Sequence, residues 1–469
     1  MTALAASDPH IAGLYPRAVQ AATGPLRVHE FLFQFVQNPL RIIPEAAYEQ
    51  AVVARGRGQS GRKAVWITDP RLIEDFLVRH WDSLEKSEIE KRVLGRSVGD
   101  GILTSDGALW RWQRRIMAPL FRSSDIQGYV PVMAQAGQDL VDSWRAEGSG
   151  WRRIERDMTE VTFSIIARTM LAGGEPAETA TIKRATERYL SHVSWEIAYT
   201  IMNVPRWVPH PASLRMHRAA NQLRQSVLKL IERRRQSQAR GEADGNDLLS
   251  RLLAARDPES GEPMSKIQVV NNLLTLLEAG HETTAKALSW TLYLLARAPE
   301  WQSAARSEVL SVCGRGPIGA DHLPGLAITQ QVLKESMRLF PPAPSMGRIV
   351  AEPLVIAGES YAPGDMVLFP IFCIHRHKRL WKDPNRFDPT RFSPEREKTY
   401  HRTQYMPFGA GPRVCIGNAF AMAEATVLLA TFLRAAQFDW DGKHEPEPIS
   451  RITLRPKGGM RLLVSLLES

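Results

Sequence analysis

Between Ser265 and Arg297 apolar residues fall on most sides of a helical projection, at Val269, Val270, Leu273, Leu274, Leu276, Leu277, Leu288, Leu292, Leu294 and Leu295. A run apolar nearly all round predicts a helix inside the molecule, and Pro299 closes it. At 1.5 Å per residue it spans roughly 45–50 Å, about the width of a domain. Glu278, His281, Glu282 and Lys286 in mid-run oppose the rival reading, a membrane span. Residues 126–235 read as successive helices, interrupted where Pro205, Pro209 and Pro211 crowd the 203–211 turn. A further strongly helical run extends from Asn418 to Leu433.

Alternating, strand-like patterns are few. They cover residues 64–68, 354–357 and 366–369, the last two separated by Gly358 and Pro363-Gly364. Residues 452–455 and 460–465 predict a closing hairpin around Gly458-Gly459. A helix-like stretch from Ile43 precedes the first strand. Residues 86–109, rich in charge and glycine, read as a long loop; 236–246 read as a polar, mobile one, and 1–39 as surface wrapping. The expected fold class is mainly α with a minor β-rich region.

With 469 residues, 44% of them hydrophobic, the chain can bury a large core. Length alone suggests two or three domains, yet no linker, repeat or low-complexity block divides it. A single unit over 1–469, without a fused reductase, is the expectation. Three cysteines, Cys313, Cys373 and Cys415, make no disulfide framework and suit a reducing cytoplasm. The first thirty residues hold neither a long apolar run nor a signal pattern, so no membrane anchor or export is expected. The net charge of +10 first suggests nucleic acid. The densest basic clusters, Arg233-Arg234-Arg235 and Arg111 to Arg115, lie in helical segments without a base-stacking platform, so no nucleic acid partner is expected.

Two stretches carry chemistry. Phe408-Gly409-Ala410-Gly411-Pro412-Arg413-Val414-Cys415-Ile416-Gly417 sets one cysteine at the end of a glycine-punctuated loop, just before a helix. The free N–H groups of that helix and the cation of Arg413 favour thiolate over thiol, a ligand for a soft metal coordinated mostly by something else. A dinucleotide fingerprint would need glycine where Val414 stands. In the long helix, Ala279-Gly280-His281-Glu282-Thr283-Thr284 puts a glycine, costing about 1 kcal/mol against alanine, beside two hydroxyls that can open the backbone ladder for a ligand or water. Elsewhere Trp110 and Arg114, at i and i+4, share a helix face, and Glu335 and Arg338 stand at i and i+3.

The cysteine loop resembles the haem-thiolate loop of the cytochrome P450 family, an agreement expected by chance on the order of 10⁻⁵ or less. Trp-x-x-x-Arg, the acid–alcohol pair and Glu-x-x-Arg precede it in the family's order. The resemblance implies that family's mainly helical fold and heme b (iron protoporphyrin IX), with Cys415 as its metal ligand. It implies haem contacts from Lys86, Trp110, Arg114, Ala279, Arg348, Phe408 and Arg413. Glu282 and Thr283 would assist proton delivery to dioxygen, and Glu335, Arg338 and Arg391 would form a structural charge triad. The implied activity is monooxygenation of a hydrophobic small molecule with O2 and electrons from a separate donor, such as a ferredoxin with its reductase. A basic surface would steer such an acidic donor. A haem-thiolate sensor without turnover and a peroxide-driven oxidase stay open as alternatives, although the acid–alcohol pair favours dioxygen. Pocket lining is expected from residues 86–109, from the 195–215 turn and from Pro344-Ser345-Met346. Substrate identity, the particular donor, oligomeric state and any membrane contact by the 203–211 turn stay open.

Overall fold

The structure is a computed structural model that describes residues 13–468 apart from 25, 58–61, 171–175, 203, 206 and 242–246. Its axis is the central helix, Lys266–Arg297, 32 residues long. Ser265 starts it with a reciprocal cap. The Ser265 hydroxyl accepts from Gln268 N–H at 3.3 Å, and the Gln268 side chain accepts from Ser265 N–H at 2.8 Å. Buried positions occupy all its faces, as the all-round apolar pattern requires. Against it pack the helices Ile154–Met170 and Ala327–Leu339, together with the cysteine helix Asn418–Ala435. One continuous apolar cluster joins residues from Val19 to Val464.

Among the described residues the strands form four small sheets. In chain order they are β1 (Val52–Arg57), β2 (Lys63–Ile67), β3 (Leu84–Lys86), β4 (Gly150–Arg153), β5 (Met346–Val350), β6 (Leu354–Ile356), β7 (Glu359–Tyr361), β8 (Met366–Phe369), β9 (Ala436–Asp439), β10 (Pro448–Ser450), β11 (Leu454–Pro456) and β12 (Arg461–Leu466). The largest sheet has the order β1-β2-β8-β5-β3; the others are β4-β12-β9, β10-β11 and β6-β7. Helices dominate and strands sit at the margins, in agreement with the expected class.

Several expectations need correction. Residues 86–109 are mostly helix, not loop. A cap helix, Glu88–Val98, is nucleated by Ser87 and Glu90, which cap each other through side chain and backbone. The predicted closing hairpin does not form. β11 pairs with β10, while β12 has β4 on one edge and β9 on the other, so Gly458-Gly459 connects two different sheets. The helix-like stretch after Ile43 is a short 3-10 turn, Glu45–Tyr48, followed by β1. An extra strand, β7, folds back on β6 through Ala357 and Gly358, whose φ angles are 51° and 81°. The helix Ser213–Ala239 runs into the predicted polar loop, whose residues 242–246 lie outside the described residues. The 203–211 turn separates the helices Val193–Ile201 and Ser213–Ala239, with Asn203 and Arg206 outside the described residues. Residues 1–12 of the predicted surface wrapping are also outside. Among the described residues no helix is long and apolar enough to cross a membrane.

Candidate active site

Cys415 ends a loop that its own backbone closes: the Cys415 N–H donates to the Phe408 carbonyl at 2.9 Å. Gly411, with φ 70°, is obligatory here, because a Cβ on it would lie 1.9 Å from the Leu77 carbonyl oxygen. Cys415 is exposed, yet desolvation pushes its thiol above the ordinary range, against smaller opposing pulls from the Gly417 N–H and Arg114. Exposure with desolvation places the sulfur against space inside the molecule rather than bulk solvent. The expectation that the helix end and Arg413 by themselves favour thiolate is thereby corrected. Burial outweighs them, and a bound metal is what holds such a sulfur ionised.

Arg413 is engaged elsewhere. It donates to Asp106 at 2.7 Å and to the Ser105 carbonyl at 3.1 Å, and lies over the Trp110 ring at 4.4 Å. Trp110, buried and edge-on to Trp81, therefore carries Arg413 on its face, not Arg114. Lys86 and Arg348 are brought together by the sheet, as direct partners in the antiparallel β3–β5 register. Both reach Glu90, Lys86 at 3.6 Å and Arg348 at 3.8 Å. Burial, reinforced by the cations of Arg348 and Arg413, brings Lys86 down to about 8. Arg114 is also lowered by burial, lies near enough to Cys415 to feel its charge, and has no acidic partner among the described residues.

Three largely buried cations, Lys86, Arg348 and Arg413, thus face two carboxylates, Glu90 and Asp106, Lys91 also draws on Asp106 at 3.1 Å, and Arg114 stands near the sulfur as a further cation. A ligand that brings its own carboxylates beside a lone sulfur completes this donor set. Iron porphyrin, whose two propionates would meet these cations and whose iron would take the Cys415 sulfur, would fit it. Glu90 and Asp106 were not read from the sequence. Their signals were the Ser-x-x-Glu cap and an acid directly before the Trp-x-x-x-Arg helix.

On the central helix, Thr283 Oγ1 donates to the Ala279 carbonyl at 2.9 Å, and Thr284 Oγ1 to the Gly280 carbonyl at 3.4 Å. Ala279 is exposed and Gly280 and Thr283 are half-buried, although Glu278, His281, Glu282 and Thr284 around them are buried, so this face also borders interior space. Gly280 lets the helix Ile154–Met170 cross closely, since a Cβ there would stand 2.9 Å from Ile166 Cδ1. Glu282 does not point freely. Its Oε1 accepts from Thr453 Oγ1 at 2.8 Å and from Arg455 Nη2 at 2.7 Å, and Arg455 extends to the surface. Two further carboxyls flank this turn. Among the described residues Glu278 has Ser97 Oγ 2.9 Å from one oxygen and no partner on the other, and Glu424 has no partner within hydrogen-bond distance, although the Thr284 hydroxyl is near enough to oppose the shift; burial pushes each up to about 8.

The charge triad is formed as expected. Arg338 grips Glu335 through Nε and Nη2 at 2.7 and 2.8 Å, with both side chains fully buried, and Arg391 lies 3.5 Å from the same carboxylate. Above the cap helix, Glu196 accepts from Arg92 and Arg96, both at 3.0 Å, and pairs with His210 at 3.1 Å.

The family model described as cytochrome P450 matches residues 57–463. Cyclooctatin synthase of Streptomyces melanosporofaciens is 35% identical over 376 residues, which cover 79% of this chain and 78% of that protein. A cytokinin hydroxylase of Arabidopsis thaliana is 30% identical over 437 residues, covering 89% of this chain and 83% of its own. Among solved structures, a cytochrome P450DA heme domain superposes with a TM-score of 0.81 at 26% identity, covering 97% of this chain and 99% of that one.

Proposed function

This chain belongs to the cytochrome P450 family and is a haem-thiolate monooxygenase, and from that premise we propose which of its residues do the work. The observation that carries the proposal is the lone Cys415 sulfur, turned to interior space near Arg114, which has no acidic partner among the described residues. Bound haem, as heme b, supplies oxygen activation and the insertion of one oxygen atom into the substrate. Cys415 holds the iron. Phe408 braces the loop through its carbonyl, and Lys86, Arg114, Arg348 and Arg413 with Trp110 position the macrocycle and neutralise its carboxylates. Ala279 offers a flat methyl surface over which a ligand can lie.

Thr283, tied to the Ala279 carbonyl, holds a hydroxyl proton at the edge of the interior space. Glu282, fixed by Arg455 and Thr453, links that turn to the surface, where protons enter. The single haem-binding unit spans the chain and draws its electrons from a separate donor such as a ferredoxin, in the cytoplasm. Relatives are named for different substrates, cytokinin and cyclooctat-9-en-7-ol among them. The class proposed here, a hydrophobic small molecule, rests on the apolar character of the 195–215 turn and of the Pro344-Ser345-Met346 stretch.

Reduction of the haem-loaded protein under carbon monoxide should give the thiolate-specific Soret band in the wild type and lose it in Cys415→Ser. Glu282→Gln and Thr283→Ala should keep that band while yielding several-fold less product per electron consumed. Wild-type protein that loads haem yet never shows the band defeats the assignment of Cys415. Turnover with peroxide alone, equal to that with a reduced donor, defeats the roles given to Glu282 and Thr283.

A further inference from the structure

A cleft of about 680 Å³ opens between β4, β12, the turn before β12 and the helices Ile154–Met170 and Pro176–Leu190. Six basic side chains line it against three glutamates, a surplus of three positive charges. Two of the basic residues are placed against each other by the fold. Arg153 of β4 and Arg461 of β12 are direct partners in the antiparallel register, both exposed, and neither has an ion-pair partner among the described residues. Like charges directly opposite on neighbouring strands are destabilising. Nothing in the pairing of the two strands needs arginine at both positions.

The cleft also reaches inward. Its floor is Lys286, a nearly buried residue of the central helix, which donates to Glu155 at 2.7 Å. Gly459, with φ 82°, brings the turn between β11 and β12 against the same glutamate, 3.5 Å from where a Cβ would stand. The segment that leads into this turn holds the proposed catalytic acid: Thr453 and Arg455 donate to Glu282, which lies one helical turn before Lys286.

We infer that this cleft is a binding site for a small polyanion, a phosphorylated or polycarboxylate molecule, whose charges bridge Arg153 and Arg461 over Lys286. Guanidinium pairs bind phosphate and carboxylate in forked, charge-assisted hydrogen bonds, which turns the repulsion of the free site into affinity. A bound polyanion also braces the segment 453–461 that carries the partners of Glu282. Binding itself is independent of the oxygenase reading; the consequence for Glu282 rests on it.

The test titrates pyrophosphate, and separately citrate, into the haem-loaded protein at ionic strength held constant with sodium chloride. Melting temperature should rise saturably, by about 2–3 °C at a hundred times Kd, and amide hydrogen exchange across 453–461 should slow. Arg461→Ser and Arg153→Ser should each melt slightly above wild type without ligand, because the repulsion is gone, and should lose the response. Response to pyrophosphate alone identifies a phosphorylated ligand, and response to both a general polyanion site. A rise no greater than the salt control, or one retained in both variants, overturns the site. Saturable binding with unchanged exchange at 453–461 overturns the bracing of Glu282 while leaving the oxygenase assignment untouched.

Discussion

Three carboxyl groups lie on or against the middle of the central helix, and their partners divide them into two kinds. Glu282 has a guanidinium and a hydroxyl on one oxygen. Glu278 and Glu424 have no cationic partner among the described residues, and desolvation brings each to about 8, from an ordinary value of 4.5. Over the interval between those values the folded chain therefore holds protons that the unfolded chain has released. Stability conferred by these two groups is complete below about 4.5 and is lost as pH rises through about 8. Melting temperature should accordingly decline from pH 5 to 9, and Glu424→Gln should flatten the decline and melt above wild type at pH 9. An unchanged slope in Glu424→Gln would mean that the buried acid is ionised throughout. Neither role is written in the residue letters: Glu424 stands on a helix that reads as apolar, and only the packing of two helices removes its water.

At the scale of elements, charged ties hold the parts around the site in register. Glu335 and Arg338 belong to one helix, but Arg338 also donates to the carbonyls of His375, Pro384 and Arg386, and the Asp388 N–H donates to Glu335. Glu335→Gln leaves buried guanidinium uncompensated and should cost about 3–5 kcal/mol in chemical denaturation; a loss below about 1 kcal/mol would reduce the triad to decoration. Glu196 ties Arg92 and Arg96 of the cap helix, and His210 of the 203–211 turn, to the helix Val193–Ile201. Glu196→Gln should speed amide exchange in both helices and leave that of Lys266–Arg297 unchanged, because the central helix takes its order from apolar packing. Equal acceleration everywhere would indicate global destabilisation instead. Legibility divides along the same line. The central helix was readable to within one residue because its cap and its apolar surround are local. The pairing of β12 with β4 and β9 was not, because its partners lie hundreds and tens of residues away and a Gly-Gly turn between two strands reads as a hairpin whichever sheets they join. The cap helix was missed for a different reason: its charge density hid a Ser-x-x-Glu start that was present in the letters.

For the molecule as a whole, the surplus of ten positive charges outlasts the internal pairing of the site and bears on the encounter with an electron donor. A charge of that size raises the association rate with an acidic partner while the field extends beyond contact, and salt shortens that range from about 10 Å at 0.1 M to about 3 Å at 1 M. With an acidic ferredoxin held below saturation, donor-supported turnover should therefore fall at least several-fold between about 0.05 and 0.5 M sodium chloride. The affinity for a neutral substrate, read from the haem absorption, should stay within about twofold over the same range, since a neutral substrate carries no net charge for the protein's field to act on. The comparison separates steering from damage to the site: parallel losses in both measurements would point to the cation cradle around Lys86 and Arg348, whereas turnover indifferent to salt would show that the basic surface plays no part in bringing the donor to the haem.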